Sequence, residues 1–212
     1  VKNSARQVVW ICRHGARIDF LDPSWKGHDP HLSPDGVVQA RETGVRLRDE
    51  GIQHIFASPF LRAVETAHLI ADAVNLSVKI EQGLCEWLNP DWFTERPRFL
   101  SLEELSRRFS RVDPSYQSAV IPRYPETGEE SSVRAGQAAC LLANTHKGDM
   151  LLVSHGHAVI GMTLAVMGQH CSFSTGLCAL IKITRHDGSS LLELAGDCSH
   201  LSGGEQHAYR FV

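Results

Sequence analysis

The chain has 212 residues, 42% hydrophobic and 21% charged, which suits one α/β-sized domain with a substantial core. A formal net charge of -3 excludes a general nucleic-acid or membrane-surface binder. Any anion site must therefore be a local concentration of positive charge. In chain order, residues 7–12 (QVVWIC) are the continuous apolar run of a fully buried strand. Ser33 is a helix N-cap with Pro34 at the first helical position, and the helix runs to about Asp49. Its apolar face carries Val37, Ala40, Val45 and Leu47. HIFAS (54–58) is a short strand, and Ser58-Pro59 repeats the start signal for a helix to about Val74. Residues 77–80 form another strand. Residues 83–127 are proline-rich, carry Trp87 and Trp92, and contain one helix-like stretch, 102–109. They are expected to form an elaborated loop or cap inserted in a single domain spanning 1–212. A helix from Glu129 to about His146, a strand at 149–154 and an apolar helix near 157–167 follow. Two last strands, about 177–184 and 190–195, flank the turn Asp187-Gly188.

Alternation of strand and helix predicts an α/β fold: a three-layer sandwich with a mostly parallel central sheet and helices on both faces. In such sheets ligands bind beyond the carboxyl ends of the strands. Three strands end at Arg13-His14-Gly15, Ser58-Pro59 and Ser154-His155-Gly156. Arg62 falls in the first turn of the second helix, where free N–H groups and the helix dipole also favour an anion. Arg13, Arg62 and His155 could thus surround one phosphoryl group and leave His14 free to attack it. Arginine suits that task because its planar fork holds two phosphate oxygens at once.

These segments, RHG at 13–15, SPFLRAVETA at 58–67 and SHG at 154–156, together resemble the histidine phosphatase (phosphoglycerate mutase-like) superfamily, in family order and over nearly the whole chain. The resemblance implies a phosphomonoester hydrolase with His14 as nucleophile, a phosphohistidine intermediate, and Arg13, Arg62 and His155 on the phosphoryl group. It implies no metal and no cofactor. Glu86, in the GLCEW segment, stands where the family keeps its proton donor; Glu81 is the competing carboxylate. GLCEW and CRHGARID are similar to the phosphatases that suppress T-cell receptor signalling and to insect ecdysteroid-phosphate phosphatase, which adds Arg17 as a further phosphate or substrate contact. Ala16 departs from that branch, which usually has Glu. The implied partners are a phosphorylated small molecule or protein as substrate and inorganic phosphate as product, and a homodimer is compatible with the pattern.

Other readings are weaker. A cysteine phosphatase using Cys12 would need an arginine at position 18, which is Ile18. His155 and His157 could share a metal, but no Cys or acidic residue lies at zinc-like spacing. His157 reads instead as a helix-start residue beside the site. The segment 125–135 reads as a helix start, with Glu129 a candidate to hold an active-site arginine. Trp87 and Trp92 could stack on a ring-shaped substrate or merely pack the cap. A phosphoglycerate mutase is disfavoured by Trp87-Leu88-Asn89-Pro90 after Glu86, and a weakly active phospho-ligand binding module by the full catalytic set. The six cysteines lack CxxC or disulfide-like spacing and read as reduced core thiols of a cytoplasmic protein. No apolar stretch nears the roughly 18 residues needed to cross a bilayer, and no signal pattern opens the chain. A start at Val1 without Met is expected of a segment of a longer protein.

Overall fold

A computed structural model describes residues 6–22 and 24–207. Among them, strands and helices alternate as β1 (Gln7–Arg13), α1 (Pro34–Leu47), β2 (His54–Ala57), α2 (Leu61–Val74), β3 (Val78–Ile80), α3 (Leu102–Arg108), α4 (Gly128–Thr145), β4 (Met150–Ser154), α5 (Gly156–Met167), β5 (Leu180–His186) and β6 (Ser189–Asp197). The strands make one sheet in the order β3-β2-β4-β1-β5-β6. The first four in that order run parallel; β5 lies antiparallel to β1 and to β6.

Alternate strand residues feed opposite layers. Trp10, Cys12, Ile55, Ala57, Leu151 and Val153 pack with Leu47 of α1 and the apolar face of α2. Val9, Ile11, Phe56, Met150 and Leu152 pack beneath α4 and α5. With both faces covered, the strands need apolar residues throughout, which is why they read as unbroken runs. The result is the expected three-layer α/β sandwich.

β2, β4 and β1 are neighbours, and the register sets Arg13 opposite Ser154 and Ala57 opposite Val153. The chain therefore leaves all three strands at one level of the same sheet edge. That coincidence builds the site.

Two local expectations need correction. Val45 does not face the core: it is 58% exposed, while Gly36, Gln39, Ala40, Thr43, Gly44 and Leu47 are buried. The reason is close helix packing. A Cβ on Gly44 would lie 2.9 Å from the Ala73 Cβ, so α1 turns its small residues toward α2. Helix α2 begins at Leu61 rather than at Pro59, since Phe60 is still extended; the Ser58 hydroxyl accepts the Phe60 N–H and lies against His155. The first N–H of the helix is accepted by both oxygens of Asp29, at 2.9 and 3.0 Å. The anion that this N–H meets is thus a carboxylate of the chain itself.

The segment after β3 contributes a short turn at Gln82–Leu84, α3, and long extended stretches. Phe60, Cys85, Leu88 and Phe93 form a small apolar cluster that seats it against the sheet edge. All six cysteines are free; Cys12, Cys85 and Cys178 are buried and the other three half-buried. Among the described residues no helix is long and apolar enough to cross a membrane.

Candidate active site

Arg13, His14 and His155 sit at or just past the ends of β1 and β4, while Arg62 lies in the first turn of α2 and Glu86 in the segment after β3. The His14 N–H donates to Ser154 O at 2.9 Å, and Gly15 N donates to the Thr66 hydroxyl at 3.1 Å. Gly15 must be glycine here, since a Cβ would fall 2.7 Å from the Gly36 carbonyl oxygen. The His14 ring is buried, with Nδ1 2.7 Å from Gly15 O. A carbonyl only accepts, so Nδ1 carries the proton and Nε2 keeps its lone pair. The Arg62 Nε–H donates to that Nε2 at 3.2 Å.

His155 lies beside it, ring centroids 5.2 Å apart, fully buried. Ser58 Oγ accepts the Phe60 N–H at 3.3 Å and lies 2.7 Å from His155 Nε2, to which its own proton can donate. His155 Nδ1 then points its proton into the site. It has no hydrogen-bond partner and is 3.5 Å from Glu86 Oε2. A buried donor without an acceptor costs free energy until an anion arrives to use it.

Arg62 is the hub. Its Nε meets His14, its Nη2 lies 3.4 Å from Glu86 Oε2, and its Nη1 lies 3.7 Å from Asp29 Oδ1. The Phe60 ring packs beneath the guanidinium at 4.6 Å. Burial lowers the Arg62 pKa to about 10, with Glu86 and Asp29 pulling it back up. Burial, then Arg62, drives both imidazoles well below their ordinary range; Arg13 lowers both further. Both rings are therefore neutral near pH 7, the form a nucleophilic nitrogen requires.

Arg13 extends from the end of β1, its Nη1 donating to Thr175 O at 2.8 Å. Arg17 pairs through both sides of its fork with Asp19 and stacks on Phe20 at 4.6 Å. Arg13, Arg17, Arg62 and Glu86 line a cavity of about 300 Å³ together with His28, Pro30, Trp92, Phe93 and His157. His14 is not among the lining residues, and its Nε2 lone pair is engaged by the Arg62 Nε–H.

Glu81 does not compete for the acid role. Buried, it accepts from Gly83 N, Ala119 N, Val120 N and the Tyr116 hydroxyl at 2.8–3.0 Å, stapling two stretches of the inserted segment together. Glu129 is exposed in the first turn of α4 and holds no active-site arginine. The carboxylate of this segment that holds an arginine is Glu126, paired with buried Arg134 outside the cavity lining. Arg134 also donates to the carbonyls of Gly83, Cys85 and Glu86, fixing the backbone that carries Glu86.

His157 Nε2 lies 2.8 Å from Gly128 O and 3.1 Å from the Ser132 hydroxyl, so it ties α5 to α4. Trp87 packs on His157 and Trp92, and of the two tryptophans only Trp92 reaches the cavity wall. Cys12 is buried, and a hydrogen bond with Cys178 together with burial raises its thiol pKa well above the ordinary value. It is no nucleophile. Among the described residues no three His, Cys, Asp or Glu side chains gather as a metal-holding group. The residues that the motifs did not announce are Asp29, Glu126 and Arg134; Ser58 lay inside a motif but read there as a helix cap rather than as the partner of His155.

The model of the histidine phosphatase superfamily, branch 1, matches residues 9–197. The chain belongs to this family. Human ubiquitin-associated and SH3 domain-containing protein A is 34% identical over 77% of the chain, which spans about a third (32%) of that protein's length. A probable phosphoglycerate mutase GpmB of Erwinia tasmaniensis is 33% identical over 91% of the chain and 94% of its own. The ecdysone phosphate phosphatase of Bombix mori, solved with tungstate, shares the fold at a TM-score of 0.70 and 23% identity, covering 84% of this chain and 88% of its own.

Proposed function

We propose that the chain is a metal-independent phosphomonoester hydrolase that works through a phosphohistidine on His14 Nε2. The observation that carries this is the paired state of the two imidazoles. His14 presents a lone pair toward Arg62, and His155 presents an unused proton beside it. One phosphoryl group satisfies both.

In the first half-reaction, phosphoryl oxygens take the N–H groups of Arg62, Arg13 and His155. Nε2 then forms the P–N bond as the ester P–O bond breaks. Arginines spread around the equatorial oxygens stabilise the transferring group without reorganising. Glu86, displaced from Arg62 by the phosphoryl group and protonated by the substrate's phosphate monoanion or by solvent, gives that proton to the leaving oxygen. In the second half-reaction it takes a proton from water, whose oxygen attacks phosphorus and releases inorganic phosphate and free His14. Glu86 is well placed for both steps, since Oε1 is anchored by the Trp87 N–H at 3.0 Å and Oε2 faces the arginine and His155.

The inserted segment supplies Trp92 and Phe93 to the wall, so it decides which alcohol or phenol departs. Arg17 serves as an outer contact to the phosphate or its ester group. We place the activity in the cytoplasm, where the free thiols persist, on a phosphorylated small molecule or protein; a homodimer is compatible with it. Kinship with the mutase GpmB favours a second reading, phosphate transfer between hydroxyls of a phosphorylated glycerate. The Trp87-Leu88 continuation after Glu86 and the aromatic wall weigh against that small, highly charged substrate.

The deciding experiment is release of inorganic phosphate from p-nitrophenyl phosphate in chelator-treated buffer by the wild type and by His14→Ala. Turnover by the wild type with a loss of several orders of magnitude in the variant is expected. Comparable rates from both, or abolition by the chelator, would overturn the mechanism.

A further inference from the structure

The loop between β1 and α1 touches the cavity through His28 and Pro30, and Asp29 lies between them. Its carboxylate turns inward, to the start of α2. Both oxygens accept the Leu61 N–H, and Oδ1 lies 3.7 Å from Arg62 Nη1. A second anchor, Leu32 N to Glu65 Oε2 at 2.6 Å, docks the same loop on the same helix. One carboxylate thus touches the cavity-lining loop, the helix that carries Arg62, and the Arg62 guanidinium itself. Arg62 has three nitrogens, and Asp29 holds the one that neither His14 nor Glu86 engages.

We infer that Asp29 is a positioning residue that fixes Arg62 for phosphoryl binding and, while ionised, competes with the phosphoryl group for it. The inference rests on the phosphatase reading of the site. Its first ground is geometric: Asp29 accepts the first N–H of the helix that carries Arg62 and lies 3.7 Å from the guanidinium nitrogen that His14 and Glu86 leave to it. The charged groups facing it are Arg62 and Glu65 from α2 and Arg108 from α3. Burial raises its carboxyl pKa to about 6, against the pull of Arg62 and the Leu61 N–H. Its charge is therefore lost in mildly acidic buffer, and Arg62 is then left with Glu86 as its near carboxylate. Coupling between two charges is reciprocal: what the carboxylate gives the arginine, an arriving anion must replace.

Sulfate is the probe, because it stays a dianion across the range of interest while phosphate esters titrate within it. Its inhibition constant against p-nitrophenyl phosphate hydrolysis is measured from pH 5 to 7.5 for the wild type, Asp29→Asn and Asp29→Ala. In the wild type, sulfate binding should weaken by roughly tenfold as pH rises through 6, the factor that one pKa unit of coupling represents. Asp29→Asn keeps an acceptor for the Leu61 N–H but carries no charge. It should bind sulfate more tightly than wild type at pH 7 and lose that inflection. Asp29→Ala should also lose the inflection and melt at a lower temperature, as the cap is gone. An Asp29→Asn profile that overlays the wild type would overturn the inference while leaving the phosphatase reading intact. Wild-type enzyme that neither hydrolyses the ester nor meets competition from sulfate would overturn both.

Discussion

Replacing Glu86 by glutamine separates its two possible duties. The amide keeps the length of the side chain, and its oxygen can still accept the Trp87 N–H that Glu86 Oε1 accepts at 3.0 Å. What changes is the other end. An amide nitrogen would replace Oε2, now 3.4 Å from Arg62 Nη2 and 3.5 Å from His155 Nδ1. Two donors then face a donor, and no proton can be delivered. General acid catalysis contributes about 10²–10⁴-fold where the leaving oxygen needs a proton, which is about 2.7–5.4 kcal/mol of barrier. An alkyl phosphate releases a strongly basic alkoxide and should lose that full factor in kcat. p-Nitrophenyl phosphate releases a stabilised phenolate and should lose clearly less.

A second consequence comes from the same geometry. Without the Glu86 carboxylate, Arg62 has one fewer anion beside it, so KM for either substrate should fall or hold steady while kcat drops. Steady-state kinetics on a pair of substrates, one alkyl and one aryl, measure both quantities. Equal kcat losses on the two esters, or a rise in KM as the main effect, would show Glu86 to be a phosphate-positioning group rather than the acid. Glu81 could not then take over, because its hydrogen bonds within the inserted segment already engage both its oxygens.

Arg134→Met should destabilise the fold by about 3–5 kcal/mol, the cost of leaving a buried charge such as Glu126 without its partner. Urea denaturation measures it, and kcat should fall as well because the Glu86 backbone loses its brace; a stability change within experimental error would refute the buried-pair argument. Stability should also fall as pH drops below about 6.5, the unfolded value of imidazole, because His14 and His155 stay neutral in the folded chain while the unfolded chain takes up protons. The slope is about 1.4 kcal/mol per pH unit for each ring. Asp29 opposes it, since its folded carboxyl titrates at about 6 and holds a proton that the unfolded chain binds only near 3.9. His155→Asn should remove one ring's share of the slope, and an unchanged slope would show that the buried rings do not set it.

What the sequence could show was whatever depended on local pattern. QVVWIC, HIFAS and DMLLVS announce buried strands because a sheet covered on both faces needs apolar residues at every step. The short polar motifs at their ends then place Arg13, His14, Ser58 and His155 without knowledge of the sheet order. Arg62 follows in the first turn of α2, and Glu86 shortly after β3. What stayed hidden depended on partners distant in the chain. Asp29 reaches Leu61, Arg134 reaches Gly83 and Cys85, and Glu81 gathers donors from 116–120. A carboxylate looks the same in sequence whether it caps a distant helix or stands in water. Val45 misled for a related reason: helical periodicity marks apolar positions, but the close α1–α2 contact selects for small ones.

The charge arrangement explains how a chain of net charge -3 can hold an anion site that its composition conceals. Three arginines line the cavity; Asp19 lies against Arg17, and Asp29 and Glu86 lie against Arg62. A buried guanidinium without a counter-charge would be costly, so the resting site keeps Arg62 between two acids. Those acids are not equivalent. In the proposed mechanism Glu86 gives its proton to the leaving oxygen, whereas Asp29 caps the helix, positions Arg62 and competes with the phosphoryl group for it. An arriving phosphate dianion replaces both as partner of Arg62, and it alone can also use the unpartnered His155 proton and the His14 lone pair. The carboxylates hold the site ready for a charge they imitate only in part, and the two imidazoles make the difference between a carboxylate and a phosphoryl group felt.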